Sequence, residues 1–373
     1  MSSVLIKERK MDDLEHWIRL AAIPSMDRLK HQQWAGLVTA ADFHQLDDVQ
    51  LQQLGFTAGQ IQCHRAITPQ RIEHCLQWLQ ASPEHHFIRY IDPLYPELLS
   101  QIKQPPFALF IKGNPALLNE AQIAIVGSRQ PTATGKQVAF NFAADLCRLG
   151  LTITSGMAKG IDGCSHRGAL SVGGNTIAVL GHGFDTVYPP AHKELAADIA
   201  NSGALVSEFL PDVPPKGEHF PLRNRIVVGL SLGTLVVEAA LKSGSLISAG
   251  YAAEYSRELF VIPGSIYNPQ AAGCHQLIQQ GAKLTTCVAD IIEEWSFLQN
   301  NSLSTVKDKE KKLQTDLFDD SLLANVGDEA TAIDHIAERS GLSVAQVSIE
   351  LLQLELAGEV AAVPGGYIRV RRA

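Results

Sequence analysis

Apolar and polar positions change their pattern along the chain, and these changes divide it into four segments. In residues 1–82 the apolar positions recur at helical spacing, for example over 69–79, with little strand-like pattern. Residues 83–297 instead hold short, continuous apolar runs that are separated by helical stretches. Residues 298–321 are polar and charged, and residues 322–373 return to helical spacing. We therefore predict a helical module, a larger α/β domain, a linker and a small C-terminal domain.

The apolar runs of the second segment predict the strands of a mainly parallel sheet. Continuous apolar runs are typical of strands that are buried on both faces, and such strands need helices on both sides. The segment therefore predicts an α/β fold, a Rossmann-like doubly wound domain. Its predicted strands lie at residues 122–126, 151–154, 176–180, 204–206, 235–237 and 258–262, after two extended segments at 86–90 and 107–112.

Both ends of the chain predict small helical units. Leu54-Gly55-Phe56-Thr57 forms a turn between helices, a pattern typical of SAM-like and helix-hairpin-helix-like modules and also of plain packing modules. Near the other end, a helix over 331–340 stops at Gly341, and a second helix over 343–357 leads into a hairpin over 360–370. Two helices followed by a hairpin predict a winged helix.

Composition and charge narrow the classes of function. No apolar run approaches the ~20 residues that span a bilayer, and no secretory signal follows Met1, so we expect a cytoplasmic protein without a membrane partner. The net charge is −8, but residues 105–290 hold 13 basic and 13 acidic residues and are neutral. A polyanion site must then be a local cluster of cations in this segment. The six cysteines match no zinc-ligand spacing, so we expect no metal site.

Two glycine-containing loops follow predicted strands, at the edge where parallel sheets bind ligands. In Gly127-Ser128-Arg129 the glycine lets the backbone N–H groups approach a ligand closely, and Arg129 adds a guanidinium group. Both features suit a phosphate. Residues 155–162 (SGMAKGID) place Lys159 between two glycines just before a helix. The alternative is a simple turn with Asp162 as a helix cap. Neither loop has the GxGxxG or the Walker spacing, so a nicotinamide or P-loop cofactor is disfavoured.

A third polar loop combines an aromatic ring with cations. His219-Phe220-Pro221-Leu222-Arg223-Asn224-Arg225 follows Lys216, and we expect Phe220 to lie in the loop. Guanidinium groups beside a stacking ring suit a single strand of nucleic acid, because every base offers a π-face. The alternative is a buried Phe220, with Arg223 and Arg225 held in ion pairs.

Six motifs stand in order over about residues 91–285: Tyr95-Pro96 with Pro105-Pro106, Gly127-Ser128-Arg129, residues 155–162 (SGMAKGID), 220–226 (FPLRNRI), 238–246 (EAALKSGSL) and Ile262-Pro263-Gly264. Together these motifs resemble the DprA/Smf (DNA-processing protein A) family. The resemblance implies a homodimer without enzymatic activity or cofactor. It also implies a protein that binds single-stranded DNA, protects incoming strands and loads the RecA recombinase during natural transformation and DNA recombination.

The resemblance also implies which residues contact the strand. The chain departs from the family's pattern at Pro190 and His192, where the family often carries a basic residue and then Asn. Lys216 stands one place from the expected position of a basic residue relative to Phe220. The implied DNA-binding residues are Gly127, Ser128, Arg129, Gly156, Met157, Lys159, Gly160, Lys216, Phe220, Arg223, Asn224, Arg225, Ser243 and Gly244.

Two other functions stay open on the sequence alone. Gly233, Thr234 and Glu238 match part of the PGGxGTxxxE motif of the lysine-decarboxylase-like (LOG-type) phosphoribohydrolases, which would make the protein a nucleotide hydrolase. Residues 229–231 depart from that motif. The third possibility is a scaffold whose α/β domain has lost its ligand, although the gathered cations disfavour it.

The charge of the C-terminal segment predicts its role. Residues 322–373 hold four arginines and seven acidic residues. Reading of a duplex depends on attraction to phosphates, so we expect this unit to make protein contacts or to regulate rather than to bind duplex DNA.

Overall fold

A computed structural model of the chain describes residues 14–24, 26, 28–34, 38–295, 322–327 and 330–370. The chain divides into two units, Met1–Glu294 and Trp295–Ala373. The predicted linker at 298–321 lies outside the described residues, and the predicted domain boundaries remain a prediction. None of the described helices is both long enough and apolar enough to cross a membrane.

A nine-stranded sheet forms the centre of the first unit, as far as the structure describes it. Its order is β1-β2-β6-β5-β4-β3-β7-β8-β9; β1 and β2 pair antiparallel, β2 pairs antiparallel with β6, and the other pairs are parallel. The mainly parallel α/β fold is thus confirmed. The strands are β1 His85–Arg89, β2 Ala108–Gly113, β3 Gln122–Val126, β4 Thr152–Ser155, β5 Thr176–Val179, β6 Ala204–Ser207, β7 Gly233–Val236, β8 Glu258–Val261 and β9 Lys283–Leu284.

Helices cover both faces of this sheet, as continuous apolar strands require. Ile177 packs in one core cluster with Ile226 and Val227, whereas Ala178 packs in another cluster with Leu195. The helices are α7 Glu97–Ser100, α8 Ala133–Arg148, α9 Ile161–Ser171, α10 Lys193–Ser202, α11 His219–Gly229, α12 Ser245–Glu254, α13 Ala272–Gln279 and α14 Val288–Ile292, with 3-10 turns at Pro115–Asn119, Pro190–His192 and Pro269–Ala271.

The N-terminal helices pack directly on the sheet. Trp17 and Trp34 share a core cluster with Phe107, and Ile72 shares another with Phe110 of β2. This continuous core explains why the helical module falls within the first unit. Its helices are α1 at 14–21, α2 Arg28–Trp34, α3 Ala40–Phe43, α4 Asp48–Gln53, α5 Ala58–Arg65 and α6 Pro69–Gln80.

The second unit has its own apolar core and the elements predicted for a winged helix. Ile336, Val347, Leu351 and Val360 are buried together. Gly341 ends the first helix in the left-handed conformation, with φ 70°, which glycine adopts without strain. The elements are a 3-10 turn at Leu322–Asn325, α15 Ile333–Ser340, α16 Val344–Leu356, β10 Val360–Val363 and β11 Gly366–Arg369.

Candidate nucleic-acid interface

A cleft of about 490 Å³ opens where the loops after β3, β4 and β7 meet. β4 and β7 flank β3 on opposite sides, so the order of the strands along the chain reverses at β3. Open parallel sheets bind their ligands at such a switch point. The ligand loops that the sequence predicts lie at this edge. Nine of the implied DNA-binding residues line the cleft: Gly127, Ser128, Arg129, Gly156, Phe220, Arg223, Asn224, Ser243 and Gly244.

An exposed cation and two aromatic rings lie side by side at this cleft. The guanidinium carbon of Arg129 lies 5.9 Å from the centroid of the Phe220 ring. The ring of Tyr188, which is 44% exposed, lies 5.4 Å from Phe220, centroid to centroid. Gly181 leaves room for this arrangement, because a Cβ there would approach Phe220 Cδ1 to 2.9 Å. The group thus offers a positive charge beside partly accessible π-faces, a pairing suited to nucleic acid.

Phe220 lies in the first turn of α11, and the expectation that it lies in a loop is wrong. Pro221 explains the difference. The first-turn N–H groups of a helix have no partner within the helix, so a proline there removes no hydrogen bond. The ring is half-buried rather than fully buried.

A buried cation forms the floor of the cleft. Arg223 is 3% exposed, and its guanidinium donates to the carbonyl oxygens of Gly156 and Val179. Burial lowers the pKa of Arg223 to about 10, so the group stays charged at neutral pH. Burial also raises the pKa of nearby Asp162, and the charge of Arg223 opposes that shift. The floor of the cleft is therefore a charged guanidinium group that is hydrogen-bonded to backbone carbonyls and lies near the carboxyl group of Asp162.

Two glycines allow the loops to approach one another closely. Gly160 has φ 83°, and a Cβ at that position would lie 2.3 Å from the carbonyl oxygen of Ser128. A Cβ at Gly156 would lie 2.5 Å from a guanidinium nitrogen of Arg223. Side chains at either position would thus displace the groups that line the cleft.

The remaining five implied residues do not line the cleft. Met157 is buried, Gly160 supports the loop, and Lys159 and Lys216 are exposed. The guanidinium of Arg225 donates to both carboxylate oxygens of Glu208, over 3.0 and 2.6 Å, and the residue is 7% exposed. Arg225 thus has the ion pair that the sequence analysis left as its alternative.

Among the described residues at the cleft that were not implied contacts, two are charged, Lys242 and Asp162, and the aromatic Tyr188 lies nearby. Lys242 lines the cleft and is exposed, and Tyr188 stands beside Phe220. Asp162 lines the cleft too and accepts a hydrogen bond from Ala158 N over 3.1 Å. Lys242 and Tyr188 both follow strands at the ligand edge, and that position was the available signal.

The groups of the hydrolase alternative have other roles. Gly233 and Thr234 are buried within β7, where they pair with β3 and β8 and form no phosphate loop. The carboxylate of Glu238 accepts hydrogen bonds from both the amide and the hydroxyl of Thr132, the N-cap residue of α8. A carboxylate that anchors a helix start is poorly placed to act as a catalytic base, so the hydrolase is not favoured.

Protein-family models match three segments of the chain. Residues 86–296 match the model described as DNA recombination-mediator protein A. Residues 309–366 match the DprA winged helix domain, and residues 11–77 match the SMF/DprA SAM domain.

Relatives with solved structures or curated descriptions cover much of the chain. It is 45% identical to Protein Smf of Escherichia coli over 97% of both chains. DNA processing protein A of Streptococcus pneumoniae matches 74% of this chain and 95% of its own, at 35% identity and a TM-score of 0.65. The protein from Helicobacter pylori, whose structure is described as showing a unique single-stranded DNA binding mode, matches 57% and 95%, at 31% identity and a TM-score of 0.52.

Proposed function

Because the chain belongs to the DprA/Smf family, we propose that it binds single-stranded DNA in the cleft at the carboxyl edge of its sheet. The observation that carries the proposal is the position of Arg129 beside the Phe220 ring, with Arg223 as the floor of the same cleft. Cations attract phosphates, and an accessible ring stacks on a base. A single strand offers both groups, whereas the bases of a duplex are already stacked on one another.

The contacts divide by chemistry. Arg129, Lys159 and Lys242 are exposed cations near the cleft, and we assign them to phosphates. Phe220 supplies the stacking surface. The loops at Gly127-Ser128 and Ser243-Gly244 bring backbone close to the strand. Met157 and Gly160 act through the shape of the loop after β4, and Asn224 lies in the wall of the cleft. Arg225 stabilises the fold through its ion pair with Glu208.

We place the protein in DNA processing during transformation, as a binding protein without catalytic activity. The description of the family model as a recombination mediator supports transfer of the bound strand to the RecA recombinase. Binding along the bases would also shield an incoming strand from nucleases. A scaffold without a ligand would have no use for the exposed cations Arg129 and Lys242 at an open cleft.

A homodimer is the assembly that we propose. Ile266 and Tyr267 follow β8 and are 79% and 89% exposed, and Leu284 of the neighbouring edge strand β9 is 48% exposed. Ile266 and Tyr267 are adjacent in the chain, and contiguous exposed apolar surface is typical of a protein contact. A second copy of the chain would bury them.

The winged helix is proposed to contact protein rather than duplex DNA. In such domains the second helix normally enters the major groove. Here that helix is α16, which has no Lys or Arg and exposes Ile349, Leu352 and Leu356, at 61%, 56% and 83%. Apolar side chains at helical spacing suit a protein surface better than phosphates.

Fluorescence anisotropy tests the proposed function. A labelled oligo-dT should bind the full chain, bind less tightly as salt rises, and bind better than a duplex of equal length. Arg129→Ala should weaken binding about tenfold and reduce the salt slope by roughly 0.7, the value for one phosphate contact of a single strand. The control is Arg148→Ala, whose guanidinium pairs with Asp145 on the surface of α8.

Two results would contradict the proposal. One is equal binding by the Arg129 and Arg148 variants and the wild type. The other is the absence of oligo-dT binding at low salt. A separate assay for release of free base from nucleoside monophosphates addresses the hydrolase alternative, and we expect no release.

A further inference from the structure

The loop between β4 and α9 has an unfavourable backbone conformation at its second residue. Met157 has φ 61°, in the left-handed region that residues with a Cβ rarely adopt. Its side chain is 2% exposed and packs with Ala178 and Leu195. Something in the surrounding structure must hold this residue in place, because the backbone alone would relax to another conformation.

Three side chains from three different elements hold consecutive residues of this loop. Arg223 donates to the carbonyl oxygen of Gly156, and Asp162 accepts from the amide of Ala158. Between them, Nδ1 of His192 lies 3.0 Å from the carbonyl oxygen of Met157. A carbonyl oxygen only accepts, so the imidazole carries its proton on Nδ1 and donates it.

His192 occupies a site that is built for its ring. The residue is 5% exposed and ends the 3-10 turn Pro190–His192 just before α10. On α9, Gly163 leaves space for the imidazole, since a Cβ there would lie 2.8 Å from Cε1 of His192. Burial lowers the pKa of His192, which keeps the ring neutral at pH 7.

The loop held by His192 is in contact with the cationic loop of the cleft. The amide of Ile161 donates to the carbonyl oxygen of Ser128 over 3.2 Å, and Gly160 lies against the same oxygen. Ser128 in turn precedes Arg129. A shift of the Met157 backbone would therefore move Lys159 directly and Arg129 through Ser128.

We propose that His192 is a positioning residue for strand binding, which fixes the left-handed turn at Met157 and so sets the cations of the two neighbouring loops. The inference rests on the proposed function, because it assigns His192 a part in the same cleft. His192 does not line the cleft, and we assign it no direct contact with the strand. It acts through a single hydrogen bond to backbone.

His166 provides a matched control for a purely structural histidine. It lies on α9, is fully buried, and its Nδ1 donates to Thr176 Oγ1 over 2.7 Å. The Thr176 hydroxyl donates onward to the carbonyl oxygen of Ile153 in β4. This chain of bonds ends inside the sheet, so loss of His166 should reduce stability and leave the loop geometry unchanged.

The test measures oligo-dT affinity for the full-length wild type and for His192→Ala, His192→Asn and His166→Ala, at a temperature where each is folded. We expect His192→Ala to bind about 3- to 10-fold more weakly, the effect of one neutral hydrogen bond. His192→Asn should bind within about twofold of the wild type, because its amide nitrogen lies where Nδ1 was and donates the same bond. His166→Ala should also stay within about twofold.

Unchanged affinity in His192→Ala would overturn the inference, and so would His192→Asn binding as weakly as His192→Ala. If His192→Ala does not fold, His192→Leu replaces it with a side chain of similar size and no donor. Amide hydrogen exchange at Ala158 and Lys159 gives a second readout, which should speed up in the Ala variant alone. If the wild type fails to bind oligo-dT, the proposed function falls, while the exchange rates still decide whether His192 holds the loop.

Discussion

The guanidinium group of Arg129, in the loop after β3, and the ring of Phe220, in the first turn of α11, are about ninety residues apart in the chain, yet they lie 5.9 Å from each other. The parallel sheet brings them together, because β3 and β6 both end at the same edge of the sheet. Arg129 follows β3, and Phe220 follows β6. Arg129 supplies the attraction to phosphate and Phe220 supplies the stacking on a base. Because the two contributions come from different side chains, each can be removed by a separate substitution.

Replacement of Phe220 by leucine should weaken oligo-dT binding by about 1–3 kcal/mol without changing its salt dependence. Leucine fills much of the same volume but has no π-face, whereas Phe220→Tyr keeps the ring and should bind like the wild type. Anisotropy over a salt series measures both quantities. A Leu variant with wild-type affinity would show that the ring is only a packing residue.

Loss of Arg225 should reduce stability rather than strand binding. Its ion pair with Glu208 is nearly buried, with side chains 8% and 14% exposed, and removal of one partner leaves an uncompensated charge. We expect Arg225→Met to lower the free energy of unfolding by about 3 kcal/mol in urea denaturation. The double variant with Glu208→Met should recover most of that loss. A large loss of oligo-dT affinity in folded Arg225→Met would instead support the DNA contact that the family resemblance implies.

The N-terminal helices should lose stability on acidification. The rings of His44 and His64 stack 5.1 Å apart, and His16 stacks on His44. Burial, followed by neighbouring cationic groups, lowers the pKa of His44 to about 3 and that of His64 to about 4, from the ordinary 6.5. Between about pH 6.5 and 4 the unfolded state binds more protons than the folded state. The free energy of unfolding therefore decreases as the pH is lowered through this range.

Hydrogen exchange of the α5 amides, corrected for intrinsic rates, measures this effect. Protection should be constant above pH 7 and fall towards pH 4, with a slope of up to about 1.4 kcal/mol per pH unit for each histidine. His44→Phe keeps a ring in the stack and should reduce the slope. Equal protection at pH 5 and pH 7.5 in the wild type would disprove the account.

Ile266→Glu should convert the proposed dimer to a monomer, because a carboxylate would then be buried in an apolar contact. Sedimentation equilibrium measures the mass. Leu94→Glu is the control, since Leu94 is an exposed apolar residue, at 50%, that lies before α7. A dimer that survives Ile266→Glu, or a wild type that is already monomeric, would argue against this face.

The sequence predicted the ligand edge well and individual side chains less well. Each apolar run of the central segment became a strand to within two residues, because strands buried on both faces leave an unambiguous pattern. The loops after β3 and β4 then had to meet. The pattern did not show where a polar loop ends and the next helix begins. Phe220 was therefore expected in a loop, although Pro221 suits a first helical turn.

The sequence also did not show which distant residues contact one another. Arg223 and Arg225 stand two places apart on one helix, and their sequence context does not distinguish them. Only the folded chain shows that Arg223 faces Gly156 in the cleft while Arg225 faces Glu208. Edge strand β9 was also missed, because two residues are too short a run to read as a strand.

Photocrosslinking tests most directly whether the strand lies in this cleft. An oligo-dT with 5-iodouracil at successive positions, bound to the full chain and irradiated, attaches to an aromatic ring on which the base stacks. We predict that mass spectrometry finds the crosslink on Phe220 or its neighbour Tyr188, and that Phe220→Leu abolishes the Phe220 product. Crosslinks confined to the winged helix or to the N-terminal helices would contradict the account, because they would place the strand away from the carboxyl edge of the sheet.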